Sequence, residues 1–393
     1  MKIACVVQRY GATVTGGSEA HCRHLAERLA AHHEVHVLTS CAEDYVYWRN
    51  TLPEGWSTEG PVRVRRFRVA RQRHLHRFAE ASERAFARRH TIEDERAWFE
   101  ANGPDTPGLI AHLAAHGHEY DLILFWAFRY VPSIIGLPVV ADRSVLVPTA
   151  EEDEVLDFAI LADYFQQPRG YIFLTDEERT LVTTRAGGSI GPSTVIGTGL
   201  DPAPAAPIAV LAPLGLVDPF VVYVGRVDRN KGCDRLVDHF IRYQQAESRD
   251  VTLVLAGPVH AALASHPRVR VLGFVTDDVR DALLTHARAL VMPSPYESLC
   301  IALLEAWNHG LPALVNARCA VLKGQVERAG GGLYYGTYRE FAAGLSWLLD
   351  HPEASRRFGH QGLAYVEREY RWPTVMARVE ALLAAVHTQR SSS

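Results

Sequence analysis

Lysine is nearly missing from this chain. Three occur in 393 residues (Lys2, Lys231 and Lys323), and arginine supplies the rest of the positive charge. The 41 basic and 45 acidic residues leave a formal charge of −4, so no global excess points to nucleic acid. Six cysteines (Cys5, Cys22, Cys41, Cys233, Cys300, Cys319) form no CxxC and no paired spacing. Several fall in apolar segments, as buried free thiols do, which argues against a secreted disulfide scaffold. No apolar run reaches the roughly 18 residues that cross a bilayer. The opening "MKIACVV" is too short for a signal peptide and reads as a buried strand. A cytoplasmic protein is expected, with room for two hydrophobic cores.

Short apolar runs alternate with helical patterns almost throughout. Strands are expected at 2–7, 34–40, 62–69, 121–127, 144–149, 170–175 and 193–199, then at 220–227, 251–257, 269–275, 289–294 and 312–317. This alternation predicts parallel sheets covered on both faces. The stretch 201–219 carries five prolines and is expected to be an extended linker. The chain therefore divides into an α/β doubly wound unit at 1–200, the linker, and a second at 220–372. The tail is helical, with Pro373 suited to a helix start, and the closing "SSS" is expected to be unstructured.

Ligands of open parallel sheets sit at the carboxyl ends of the strands. The first strand ends in "QRYGATVTGGSEAH", where Gly16 and Gly17 precede a helix; they serve either as a cap or as a close approach for an anion. GxGxxG is missing, and no acid stands suitably after the second strand, which disfavours a dinucleotide oxidoreductase. The second unit opens with "GRVDRNKGCDRL". Arg226 and Lys231, bracketed by Gly225 and Gly232, can converge on a pyrophosphate; ordinary surface charge is the alternative. "PSPYESLCIALLEAWNHGLP" follows a later strand. Ser298 is expected to cap a helix from about Leu299 to His309, freeing the amides of Leu299, Cys300 and Ile301 for a phosphate. Glu297 lies in the loop before it, and Glu305 two turns in, reaching either a sugar or a neighbouring arginine.

The spacing of "GRVDRNKG" and "PSPYESLCIALLEAWNHGLP" resembles the retaining glycosyltransferases of family 4, and the two glutamates fit that family's E-x7-E signature. The resemblance covers nearly the whole chain and implies the GT-B fold, two Rossmann-like units facing a central cleft, with a helix at 373–388 crossing back to the first. It implies transfer of a hexosyl group, mannose as the first expectation, from a GDP- or UDP-linked donor to a glycan or glycolipid hydroxyl, with no cofactor and no metal. Arg226 and Lys231 would hold the diphosphate, Glu297 the transferred sugar and Glu305 the ribose. Phe274 and Val275 would border the base, and Gly16 and Gly17 would close on the phosphate. Where relatives carry a histidine the sequence reads "FWAFRYVPS", leaving Arg129 or Tyr130, and Cys300 replaces a frequent glycine. The acidic 148–155 segment offers Glu151 and Glu152 to an acceptor, or is a solvated helix start. The arginine-rich 63–78 segment either meets anionic lipid at the inner membrane face or is a strand followed by a solvated helix. A non-catalytic nucleotide-sugar-binding protein is the alternative function.

Overall fold

Two sheets organise the chain in the computed structural model, which describes residues 1–14, 16–216 and 219–391. The first holds β1 (Lys2–Val6), β2 (Glu34–Ser40), β3 (Gly55–Glu59), β4 (Val62–Phe67), β5 (Leu122–Trp126), β6 (Ser144–Val147), β7 (Gly170–Phe173) and β8 (Ser193–Val195). Their order is β3-β4-β2-β1-β5-β6-β7-β8, parallel except for the β3–β4 hairpin. The second holds β9 (Phe220–Val224), β10 (Thr252–Ala256), β11 (Val269–Gly273), β12 (Leu290–Met292), β13 (Ala313–Asn316) and β14 (Gly332–Tyr335). It is parallel, in the order β11-β10-β9-β12-β13-β14. In each sheet the winding reverses beside the first strand: between β1 and β5, and between β9 and β12. That is where such sheets take ligands.

The central strands form where apolar residues run unbroken. β5 reads LILFW and is buried at every position, as a central strand covered on both faces must be. A cluster including Phe99, Phe125, Phe128, Phe158, Phe165 and Phe173 fills one face of the first sheet. Burying one such ring contributes about 1.5–3 kcal/mol. β3 and β14 escape the sequence pattern: β3 reads GWSTE and is largely exposed at the sheet edge, and β14 opens on a glycine of the "AGGGLYY" run.

The compact units are Met1–Thr198 with Val375–Ser393, and Gly199–Thr374. The final helix, Trp372–Ser391, docks on the first unit: Glu380 pairs with His33 at 2.9 Å, and an Arg390 guanidinium N–H donates to the Asp121 carbonyl at 2.7 Å. Ser391 ends this helix, and the last two residues of "SSS" lie outside the described residues. The proline-rich stretch is not an extended linker throughout. Residues Ile208–Leu214 form a 3-10 helix with Leu211 buried, and it packs against the helix Asp277–His286. His286 and Arg270 bond the Ala206 and Leu214 carbonyls, so the segment folds onto the second unit. Val217 and Asp218 of that stretch lie outside the described residues.

Candidate functional site

In the second unit, β9 and β12 deliver their following loops side by side. After β9 the chain turns through Gly225 (φ 146°) and reaches Gly232 in the left-handed region (φ 73°), where a Cβ would stand 2.8 Å from the Pro293 carbonyl. Only glycine lets the β9 loop lie this close to the β12 loop. Asp228 organises the turn: its carboxylate accepts the Lys231 amide at 2.7 Å and lies 3.6 Å from the Arg226 guanidinium. Lys231 then extends its ammonium to Glu297, Nζ to Oε1 2.7 Å. These side chains remain accessible, 22% for Lys231, 12% for Glu297 and 43% for Arg226. The structure thus joins three of the residues singled out from sequence and adds Asp228, whose role was hidden because an acid between two cations reads as ordinary loop polarity.

The β12 loop is held from below. Asn316, at the end of β13, donates to the Pro293 carbonyl at 3.0 Å, and the buried Gln325 amide donates to the Leu299 carbonyl. The helix starts later than expected, at Ile301 rather than Leu299, and Ser298 is not its cap. The cap position is Cys300, in the left-handed region at φ 63°, ψ 74°, with no side-chain capping bond. That geometry disfavours a residue with a Cβ and explains the fitness of glycine at this position. The Cys300 thiol is buried, which pushes its pKa well above the usual range. Of the expected anion-binding amides, Ile301 is the first helical residue, while Leu299 and Cys300 belong to the turn before it. The Leu303 amide bonds the Cys300 carbonyl at 3.1 Å.

Glu305 lies on this helix, 3.9 Å from Arg280. Burial raises its carboxyl pKa, Arg280 pulls it back, and Asp281 and Asp277 push it up again. Arg280 bonds Asp277 at 2.9 Å and Asp281 at 3.0 Å, so Glu305 is its loosest partner and keeps capacity for another. Phe274 follows β11 with 74% of its surface exposed, beside the half-buried Val275.

The equivalent place in the first unit is arranged otherwise. Gly17 opens the helix Gly17–Leu29 with Gly16 before it, and a Cβ at Gly16 would collide with the Glu19 carboxylate. Glu19 faces inward to Arg9, at 2.5 and 2.9 Å, with both side chains about 6% exposed. Ser18 donates to Glu19 at 2.8 Å and receives the Gln8 amide at 3.1 Å. His21 is buried. Trp126 donates to its Nδ1 at 3.0 Å, which leaves Nε2–H to donate to the Gly197 carbonyl at 2.9 Å. Burial lowers its pKa to about 4, so it stays neutral.

Past β5 and β6 the backbone is strained: Ala127 and Thr149 take φ 58° and 51°. Such conformations collect at functional sites. The buried Glu178 carboxylate supports the second of them, accepting the Ala150 and Leu174 amides at 2.7 and 2.6 Å. Arg129 pairs with Asp153 at 2.9 Å, Tyr130 and Glu151 are half-buried, and Glu152 is exposed. The acidic segment runs as a loop into a 3-10 turn, Glu154–Asp157, capped by Asp153. Much of the 63–78 charge is structural. Arg63 and Arg65 stack on Trp56, Arg66 is buried against Glu59, Arg71 bonds Asp105 at 2.6 Å, and Arg73 bonds Asn102. No helix among the described residues is long and apolar enough to cross a membrane.

Residues 218–351 match the family described as Glycosyl transferases group 1. Glycogen synthase of Mycobacterium tuberculosis is 27% identical across 99% of this chain and 96% of that protein. Alpha-D-kanosaminyltransferase of Streptomyces kanamyceticus is 27% identical over 40% of this chain, which there spans 43% of the relative's length. An Anabaena protein solved in complex with UDP and glucose superposes with a TM-score of 0.69 at 18% identity, covering 98% of this chain and 100% of that one. Two doubly wound parallel-sheet units of this kind are the GT-B fold. The chain is a glycosyltransferase, and the group 1 match falls in its second unit.

Proposed function

We propose that this enzyme moves a glucosyl group from a UDP-linked donor to a glycan hydroxyl, with retention of configuration and without a required metal. The observation that carries the reading is the Lys231–Glu297 pair beside Arg226 at the reversal between β9 and β12. The two charges pair with each other at 2.7 Å. A bound nucleotide sugar offers each a better partner: phosphate oxygens to Lys231 and Arg226, vicinal hydroxyls to Glu297. As the bond to the sugar breaks, charge accumulates on the departing diphosphate, and two fixed cations stabilise it there. The first amides of the helix Ile301–Asn308 add to the same field, and Glu305 takes the ribose hydroxyls. Glucose and UDP are favoured over the mannose and GDP of the first expectation because the full-length relative is a glycogen synthase and the Anabaena neighbour holds UDP with glucose. Nothing in the 63–78 geometry favours a membrane role.

A thermal-shift panel of UDP, GDP, ADP and their glucose and mannose conjugates tests the donor. The expected result is the largest stabilisation by UDP and UDP-glucose, unchanged by EDTA. Transfer or donor hydrolysis by Glu297→Ala and Lys231→Ala tests the roles. Wild-type turnover in both variants contradicts them.

A further inference from the structure

The loop at residues 42–50, on the first unit after β2, is built more rigidly than a surface connection requires. An antiparallel bridge between Ala42 and Asn50 closes its base. Asn50 exchanges two hydrogen bonds with the Val69 backbone, at 2.8 and 2.9 Å. Inside the loop the Asp44 carboxylate accepts the amides of Val46, Tyr47 and Arg49 at 3.1, 2.5 and 3.0 Å. Trp48 is fully buried although its backbone is left-handed at φ 59°, an outlier for a bulky side chain. Its Nε1–H donates to the Asn102 carbonyl at 2.7 Å, and the Arg73 guanidinium covers its ring at 5.0 Å. Arg73 also grips the loop from outside, donating to the Tyr45 and Tyr47 carbonyls at 2.8 Å each.

All this fixation ends in exposed aromatic surface. Tyr45 is 39% exposed and Tyr47 36%, with the Arg9 guanidinium 5.5 Å from the first ring and that of Arg49 4.5 Å from the second. Rings held in place present apolar area at little entropic cost. Their negative faces suit the C–H-bearing face of a pyranose, whose hydroxyls fall to arginine. The loop lies at the carboxyl end of β2, next to β1 in the sheet, where ligands of such sheets bind. We propose that residues 42–50 form the saccharide-recognition element of the enzyme, with Tyr45 and Tyr47 stacking on a sugar ring of the acceptor and Arg49 bonding its hydroxyls. This rests on the transferase reading above.

The test is binding of the full chain to an array of defined oligosaccharides, followed by titration calorimetry with the strongest binder. Wild type, Tyr45→Ala/Tyr47→Ala and Tyr45→Phe/Tyr47→Phe are compared. The alanine pair should weaken saccharide binding on the order of ten-fold and raise the acceptor KM accordingly, whereas the phenylalanine pair, which keeps the rings, should stay near wild type. UDP affinity and the thermal midpoint check that each variant is folded. Wild-type saccharide affinity in a folded alanine pair overturns the proposal, as does a wild-type protein that binds no saccharide on the array. Loss of saccharide binding in the alanine pair, combined with no UDP-sugar binding by wild type, would keep the loop and break the donor assignment.

Discussion

The two units place an acid–base pair at the same topological point and use it in opposite ways. At the ends of β9 and β12, Lys231 and Glu297 meet at 2.7 Å with side chains 22% and 12% exposed. After β1, Arg9 and Glu19 meet at 2.5 Å with both side chains about 6% exposed. The buried pair takes a hydrogen bond from Ser18 and gives one to the Glu43 carbonyl at 2.6 Å; its charges hold the loop. The accessible pair lies open to solvent, which is what the proposed exchange of its charges for a donor's phosphate and hydroxyls requires. Topology therefore sets where a site lies, while burial decides whether its charges serve the fold or the chemistry.

Removing one member of each pair separates these uses. Glu19→Ala leaves Arg9 charged and buried, and should destabilise the first unit by about 3–5 kcal/mol, read by denaturant unfolding. Lys231→Ala should leave stability nearly intact and lower the transfer rate by roughly 10²–10³-fold, read by steady-state kinetics. A Lys231 variant that unfolds instead would erase the contrast.

His21 extends the comparison to pH. Its folded pKa of about 4 lies below the ordinary 6.5, so the unfolded chain binds the extra proton first as pH falls. The stabilising effect is complete above pH 6.5 and is lost between 6.5 and 4, by up to about 3 kcal/mol. His21→Gln, which has no proton to take up, should flatten the stability curve over that window. An unchanged slope would show that His21 does not resist protonation.

The smallest effect sits at the helix cap of the second unit. Glycine ordinarily weakens a chain relative to alanine, but Cys300 is left-handed. Cys300→Gly should therefore be more stable than Cys300→Ala by about 1 kcal/mol, measured by thermal unfolding of both. The usual order would mean that the turn relaxes when the thiol is removed.

Much of this was legible in the sequence because parallel strands buried on both faces announce themselves as unbroken apolar runs. Each of the twelve expected strands has a counterpart, while edge strand β3 and glycine-led β14 carry no such run. Arg226, Lys231 and Glu297 stood out because they follow strands and because lysine is rare. The helix cap did not: Ser298 has the side chain of a cap, but left-handed Cys300 takes the position, and backbone dihedrals leave no mark on a cysteine. Trp48 and Arg73 were equally silent, since their bonds join segments far apart in sequence.

The central claim is that the second unit grips the donor diphosphate through Arg226 and Lys231. Calorimetric titration of UDP into wild type, Arg226→Ala and Lys231→Ala, all in EDTA, tests it most directly. Each lost charge-assisted contact is expected to weaken UDP binding by on the order of ten-fold or more. Wild-type UDP affinity in both folded variants would contradict the account.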